Sequence, residues 1–463
     1  MLQTSRSAWQ RPAGDDTWQD EVARFEAEHP DLDTLEVILP DSNGVLRGKW
    51  LPGSALRKVF ENGVALPFSL FGLDVWGREV EETGMHIETG DKDGVCWPVP
   101  GSLRAVPWAD RPTAQVLLSM HDRDGGAFLC DPRHVLARMT DRLAGQDLTA
   151  TAAFELEFYL FEDREDGDWS GAPQPVFSTH LGPARQNMYA LSDLEAFMPL
   201  VDEIRRSADA QDIPADAAVS EAAPGQFELN LHYRRDPLRA ADDAVLLRRL
   251  VAGVARKHNL KASFMAKPFV EWPGSGMHVH VSLENGAGNI FADPDSGRTR
   301  LGHAIKGLID TMPEAHLLFV STFNGFRRMQ PGSYAPTSIC WGYDNRSVAL
   351  RVPAGTPESA RIEHRIAGAD ANPYLVLTGV LAGMLQGITG AEAPPPPVEG
   401  NAYEKTAPRL TPWMDEAIDA FAASQRMIDA VGADMHKVLV DIKRHELFAF
   451  GREISTLERQ TYL

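Results

Sequence analysis

Residues 149–161 read TATAAFELEFYLF, and the second half of that stretch decides the fold. Phe154, Leu156 and Phe158 alternate with Glu155 and Glu157. Alternation with a period of two is the signature of a strand, whose successive side chains point to opposite faces. The aromatic and aliphatic set faces a core, and both carboxylates share the other face. Three further runs have the same texture: GQFELNLHY (225–233), SGMHVHVSL (275–283) and SVALRVP (347–353). They place Glu228, the pair His278 and His280, and Arg351 on strands rich in apolar residues, with Glu221 seven residues before Glu228. In 360–365, ARIEHR, Arg361, Glu363 and Arg365 form a row of alternating charge on one strand face.

Each pattern alone has an ordinary reading: a solvated sheet face for ELE, hydrogen-bonded histidines for HVH, a salt-bridge ladder for RIEHR. Together they lie on strands that otherwise read as buried. An unpaired carboxylate in a core costs several kcal/mol, and a shared divalent cation removes that cost. A set dominated by carboxylates with few imidazoles suits Mg²⁺ or Mn²⁺ better than structural zinc. Arg327, Arg328, Arg346, Arg351, Arg361 and Arg365 fall within forty residues. Arginine makes forked contacts to phosphate and carboxylate. Cations with arginines describe phosphoryl transfer, in which the protein mainly positions and neutralises charge. A dinuclear metal hydrolase is the other reading of the carboxylates, but it has no need of the arginine cluster. Neither a P-loop nor a helix-opening GxGxxG is present.

Outward from this core the chain divides in two. Residues 1–16 read as a loose leader, and 17–29 as a helix capped by Thr17. Asn43-Gly44 reads as the tight turn of a hairpin, and 56–62 as a helix ending at Gly63. With the short strands that run to about residue 121, these form a small α+β domain, 17–126. Turn formers at 122–132 mark the boundary, and 127–463 is the larger domain. There Ser192 and Glu195 suggest a capping box before a helix at 197–208. Helices are also expected at 241–257 and 373–386, and a stiff loop at 394–397.

The 463 residues exceed one ordinary core, and 43% hydrophobic with 24% charged residues is globular. A net charge of −20 argues against nucleic-acid or acidic-membrane binding. Cys96, Cys130 and Cys340 are too few and too scattered for a disulfide framework, which suits a reducing cytoplasm. No signal peptide is apparent, and the longest apolar stretch is short for a membrane span.

The segments FELEFYLF, SEAAPGQFELNL (220–231), FMAKPF (264–269), GSGMHVHVSL (274–283), NGFRRMQPGSYAPTS (324–338), NRSVALRVP (345–353) and RIEHRIAGADANPYL (361–375) resemble, in order, the signature blocks of the glutamine synthetase superfamily. The resemblance covers residues 35 to 463. With LPDSNGVLRGKWLP (39–52), the likeness is strongest to the γ-glutamylputrescine and γ-glutamylpolyamine synthetases. It implies a small β-grasp domain followed by a catalytic domain on a curved antiparallel sheet. It implies ATP, glutamate, a small amine and two or three divalent cations per site, a γ-glutamyl phosphate intermediate, and ring hexamers that stack into dodecamers.

By position in those blocks, Glu157, Glu221 and Glu228 correspond to one metal site, and Glu155, His278 and Glu363 to the other. Arg328, Arg365 and Gly274 correspond to glutamate-side contacts. Arg346 corresponds to the arginine of the phosphoryl transition state; Arg351, His280 and Ser282 correspond to nucleotide contacts. Three positions depart from the ammonia-using members. Tyr334 stands where an acidic residue is usual, Asp74 is not a clear equivalent of their amino-terminal aspartate, and Pro273 replaces an asparagine. The expectation is therefore an amine ligase, with Tyr334 beside the nucleophile and Trp76, Asp74, Glu79, Glu81 and Glu82 as candidates to hold a distal ammonium where their loop reaches a neighbouring site. An ammonium-using glutamine synthetase is the alternative, and a non-catalytic relative a weaker one. Tyr403 sits near where some relatives are nucleotidylated.

Overall fold

Asp41 shows how the chain begins to organise. Its Oδ1 accepts from the amides of Asn43 and Val45, both at 2.9 Å, and its Oδ2 accepts from Arg47 Nε at 2.9 Å. Gly44 supplies the left-handed residue of this turn at φ +73°. The result is the expected hairpin of β1 (Thr34–Pro40) and β2 (Leu46–Pro52). The computed structural model describes residues 18–162, 188–330, 333–404 and 408–463. The leader at 1–16 and the Thr17 cap lie outside the described residues.

Helix α1 (Trp18–Glu28) buries Val22 and Phe25, and α2 (Leu56–Asn62) has the bounds expected from the sequence. Strands β3 (Val64–Pro67), β4 (Asp93–Pro98), β5 (Arg104–Ala105) and β6 (Thr113–His121) complete a sheet of order β2-β1-β6-β4-β3, with β5 paired to β6. Only β1 and β6 run parallel, side by side in the middle of that sheet.

Helix α3 (Pro132–Ala144) starts at Asp131, whose side chain accepts from Arg133 N, with Pro132 in the first turn. The second sheet comprises β7 (Thr149–Glu162), β8 (Ala215–Ser220), β9 (Gln226–Leu231), β10 (Leu260–Ser263), β11 (Met277–Asn285), β12 (Gly288–Asn289), β13 (Trp341–Tyr343), β14 (Leu350–Val352) and β15 (Ile362–His364). Its order is β13-β14-β15-β11-β7-β9-β8, with β10 on β7 and β12 on β11. The pairs are antiparallel except β13–β14, which is parallel, so the expected antiparallel sheet is mixed at that edge.

Between the strands lie α4 (Leu191–Ala196), α5 (Met198–Ala210), α6 (Pro237–Lys257), α7 (Gly297–Phe319) and α8 (Phe323–Arg328), and α9 (Pro373–Gly390) follows the last of them. The capping box expected at Ser192 and Glu195 does not form. Ser192 lies inside α4, and α5 starts after Phe197 without a side-chain cap, with Pro199 in its first turn. Proline presets the helical φ there, so α5 begins without a hydroxyl cap. Asn372 caps α9 through Tyr374 N. Helix α9 is long and apolar enough to cross a membrane by composition, but 72% of it is buried against its neighbours, as in a core helix. Helices α10 (Met414–Ala422), α11 (Gln425–Val431), α12 (Ala433–Gly451) and α13 (Thr456–Tyr462) finish the chain. It is α13 that carries a capping box, from Ser455 and Glu458.

One contiguous hydrophobic cluster runs from Val22 through both sheets to Ile442. Polar ties cross between the amino-terminal sheet and the rest. Asn372 Nδ2 donates to Asp41 O at 3.0 Å. Lys443, 1% exposed, donates to Asn43 Oδ1 at 2.6 Å and Glu446 Oε2 at 2.8 Å, while Glu446 Oε1 accepts from Val75 N at 3.0 Å. Removing one partner of a buried ion pair strands the other charge. Lys443→Ala should therefore destabilise the chain by about 3–5 kcal/mol, and Lys443→Met with Glu446→Leu by distinctly less. Denaturant unfolding of the two variants checks this.

Candidate active site

Strand register, which sequence periodicity does not give, brings the charged residues together. On β7, Glu155 lies opposite His278 of β11 and Glu157 lies opposite Glu228 of β9. On the other side of β11, His280 lies opposite Glu363 of β15, and Glu363 faces Arg351 of β14. Directly opposed residues share a face of the sheet, so five adjacent strands deliver one polar row. Behind it, Phe154 and Leu156 are fully buried in the core.

Glu155 stands in the middle of the row. Its Oε2 is 3.1 Å from His278 Nδ1, and its Oε1 is 2.9 Å from His280 Nε2. Arg361 Nε donates to His280 Nδ1 at 3.1 Å. Glu157 Oε2 accepts from Gly276 N at 2.8 Å, and Glu228 Oε1 from Asn230 Nδ2 at 3.2 Å. Glu363, 1% exposed, accepts from Arg365 Nη1 and, at 2.8 Å, from Arg351 Nη1.

The electrostatics divide the carboxyls into two kinds. Burial raises the carboxyl of Glu155, but hydrogen bonds from His278 and His280 outweigh it and hold the group well below its ordinary range. Glu363 is also lowered: burial opposes the shift, and Arg365 and the two histidines prevail. Glu157 is pushed up to about 7 by burial and the charge of Glu221. Glu221 rises to about 7 through burial and Glu228, and Glu228 to about 8 through burial, Glu155 and Glu157. Three acids that repel one another this strongly have the chemistry of a cation site. Ligand atoms of Glu155, Glu228 and His278 lie within 4.8 Å of one another, and so do those of Glu155, His280 and Glu363. Glu155 thus belongs to both compact groups, and His280 joins Glu363. The division drawn from the sequence, with Glu157, Glu221 and Glu228 apart from Glu155, His278 and Glu363, differs. The hard-oxygen donor set with imidazole fits Mg²⁺ or Mn²⁺.

Glu155 also lines two adjoining cavities. One, of about 790 Å³, is bounded by Glu157, Glu221, Glu228, His278, Gly274, Arg328, Tyr334, Arg346, Arg351, Arg365 and Tyr403. The other, of about 540 Å³, holds His280, Ser282 and Arg361. Arg328 is 3% exposed at the end of α8, and its Nη1 donates to Ile366 O at 2.8 Å. Two glycines make room for it. A Cβ on Gly274 would lie 2.9 Å from Arg328 Cγ, and one on Gly276 2.6 Å from its Nη2. Buried guanidinium nitrogens Arg351 Nε and Arg365 Nε have no hydrogen-bond partner. They are donors awaiting an acceptor, as an anion-binding wall requires.

Other sequence expectations fare differently. Arg327, beside Arg328, lays its guanidinium over the Phe323 ring at 4.7 Å and does not line the cleft. Asp74 is fully buried and committed to its own turn, accepting from the amides of Trp76 and Arg78 and from Arg78 Nε. It is unavailable to a distal ammonium. Trp76 packs on Phe450 at 4.9 Å, and Glu79, Glu81 and Glu82 are likewise absent from this chain's cleft wall. Tyr334 is 58% exposed at the cleft, with its backbone at φ +63°. Tyr403 OH donates to Ala335 O at 2.8 Å and so braces the segment that carries Tyr334. The sequence reading missed Asn230 and Tyr403 as parts of this wall and Gly276 as a backbone donor to Glu157. Gly276 carried a signal, since it lies two residues before His278.

A sheet face that gathers carboxylates, imidazoles and unpartnered guanidinium donors between two cavities defines a catalytic domain for anionic substrates and divalent cations. Residues 129–462 match the glutamine synthetase catalytic domain, and the chain belongs to the glutamine synthetase family. It is 39% identical over 442 residues to γ-glutamylputrescine synthetase PuuA of Escherichia coli (strain K12), covering 95% of this chain and 93% of that protein. It is 32% identical over 413 residues to the glutamate–isopropylamine ligase of a Pseudomonas species, covering 86% and 88%. The solved GmaS/ADP complex superposes with a TM-score of 0.82 at 26% identity, covering 95% of this chain and 98% of that one.

The raised carboxyls have a thermodynamic consequence. Glu157, Glu221 and Glu228 hold protons in the native state that the unfolded chain releases near the ordinary value of 4.5. In metal-free protein their contribution to stability is therefore present at low pH and lost as pH rises through 7 to 8. A bound cation takes the protons' place. The increase in Tm given by Mg²⁺ should be larger at pH 8 than at pH 6, measured by differential scanning calorimetry on chelated protein with and without the metal.

Proposed function

We propose that the chain is an ATP-dependent glutamate–amine ligase, with putrescine or another alkylamine as nucleophile. The observation that carries this reading is the cleft itself. Its wall combines the carboxylate and arginine set with an exposed tyrosine, Tyr334, in a chain related to enzymes named for amine ligation.

The residues take the following parts. Arg328, Arg365 and the open backbone at Gly274 hold glutamate, with its side-chain carboxylate toward Glu155. ATP lies on the His280 and Ser282 side, its phosphates reached by Arg351. Glu155, Glu157, Glu221, Glu228, His278 and Glu363 would between them hold the cations; when bound, these would neutralise phosphate charge and polarise the phosphoryl oxygens. A glutamate carboxylate oxygen attacks the terminal phosphorus, and the bond to the ADP oxygen breaks. Arg346 and Arg365 meet the charge that develops on the transferred phosphoryl group. The amine nitrogen then attacks the acyl carbon of γ-glutamyl phosphate, inorganic phosphate leaves, and the nitrogen gives up a proton.

An ammonium ion needs a nearby carboxylate to hold it and take its proton. The ring of Tyr334 instead offers a face to an alkyl chain or a distal ammonium, an attraction of about 0.5–2 kcal/mol. Free, buried Cys96, Cys130 and Cys340 support a reducing, cytoplasmic setting. The family likeness supports a homo-oligomer of ring hexamers in which neighbouring chains complete each other's sites.

Two experiments test the reading. Phosphate release with ATP, Mg²⁺ and glutamate should give a higher kcat/KM for putrescine or another alkylamine than for ammonium, and Tyr334→Glu should shift the ratio toward ammonium. Equal or better use of ammonium by the unmodified chain would make it a glutamine synthetase. In the same assay Glu157→Ala and Glu228→Ala should lose activity while circular dichroism shows the fold retained. Near-normal turnover at saturating Mg²⁺ would refute the metal assignment.

A further inference from the structure

Asp370 has no part in the cleft wall, yet it is tied to the amino end of the helix that carries Arg328. At the amino end of α8, Asp370 Oδ2 accepts from Thr322 Oγ1 at 2.7 Å. The same hydroxyl caps the helix by accepting from Gly325 N at 2.9 Å. At the carboxyl end, Arg328 Nη1 donates to Ile366 O at 2.8 Å, on the segment that runs on to Asp370. Gly276 and Gly368 face each other across that backbone. A Cβ on Gly276 would meet Arg328 Nη2 at 2.6 Å, and one on Gly368 would meet Asp370 Oδ1 at 2.6 Å. The carboxylate and the guanidinium therefore sit on either side of one glycine pair.

Asp370 Oδ1 is shut off from solvent and, among the described residues, has no hydrogen-bond partner. Burial raises the Asp370 carboxyl above its ordinary range, and the hydrogen bond from Thr322 with the charges of Arg248 and Arg328 opposes that rise. Arg248 is fixed independently. Its Nη1 donates to Ala369 O and Ala371 O, each at 3.0 Å, so it holds the segment on which Asp370 rides. A six-residue helix has too few internal hydrogen bonds to hold its own orientation. The cap and its tie to Asp370 supply that hold.

We propose that Asp370 is a positioning residue for glutamate recognition: through the Thr322 cap and its unshared carboxylate oxygen it fixes α8, and hence the direction in which Arg328 faces the cleft. This rests on the ligase reading, in which Arg328 holds glutamate. Asp370 does not line the cleft, so it acts through the helix that carries Arg328. A bystander that merely neutralised buried arginines would alter stability without altering one substrate in particular.

The test is steady-state kinetics on the full chain with ATP, Mg²⁺, glutamate and putrescine. Asp370→Asn keeps the shape but replaces one carboxyl oxygen with an amide nitrogen. It should raise KM for glutamate about tenfold, the loss expected for one interaction made equally in ground and transition states, with kcat and KM for ATP near wild type. Thr322→Val, which deletes the hydroxyl, should do the same, and Thr322→Ser, which keeps both hydrogen bonds, should retain the wild-type KM. If Asp370→Asn does not fold, the Thr322 pair decides alone. Unchanged glutamate KM in Thr322→Val, or KM values for ATP and glutamate that rise together, would overturn the proposal. Failure of the unmodified chain to use glutamate would instead overturn the ligase reading, and this inference with it.

Discussion

Carboxylates crowded onto one face of β7 and β9 set the terms for the rest of the structure. Glu157 and Glu228 are directly opposed across the strand pair, with Glu155 and Glu221 close enough to raise their carboxyls. Like charges opposite one another destabilise a sheet, and burial adds a desolvation cost. The fold answers in two ways. Around Glu155 and Glu363 it places His278, His280, Arg351 and Arg365, which hold those acids ionised. Around Glu157, Glu221 and Glu228 it leaves the repulsion standing. That remainder of unbalanced charge makes the cleft a place for cations rather than a salt-bridge ladder.

The scaffold is built to keep this face rigid. The apolar side of β7 is buried in the common core, and α9 runs through that core with α7 packed hard against it. A Cβ on Gly307 would lie 2.1 Å from Gly383 O, so the two helices meet backbone to backbone. Arg328, Arg351 and Arg365 approach from separate elements, α8, β14 and the residues after β15, and converge on the acids of β7 and β15. Catalytic groups supplied by several strands of one sheet keep their spacing because the ladder fixes it.

Much of this was legible in the sequence for a definite reason. A strand's period of two announces which residues share a face, so Glu155 with Glu157, His278 with His280, and Glu363 between two arginines could be read directly. Register could not. Nothing in FELEF or QFELNL says that Glu157 meets Glu228, or that Glu155 is the acid common to both ligand groups. Local signals failed where a different device starts the element, as at α5, which opens on Pro199 although Ser192 and Glu195 suggested a capping box. The parallel β13–β14 pair was unreadable because strands of three residues carry almost no periodicity. Asp74, a candidate to hold a distal ammonium, is buried and hydrogen-bonded within its own turn. Gly276 matters through a close approach to Arg328 that exists only in the folded chain.

The central claim is that the polar face of β7 and its neighbours is a divalent-cation site whose charge is otherwise uncompensated. Titration of the metal-free chain with Mn²⁺, followed by electron paramagnetic resonance of the unbound ion, tests it most directly. The account predicts about two bound Mn²⁺ per chain at pH 8, weaker binding in Glu228→Gln, and displacement of Mn²⁺ by excess Mg²⁺. Absence of Mn²⁺ binding by the unmodified chain, or binding untouched by loss of the Glu228 charge, would contradict it.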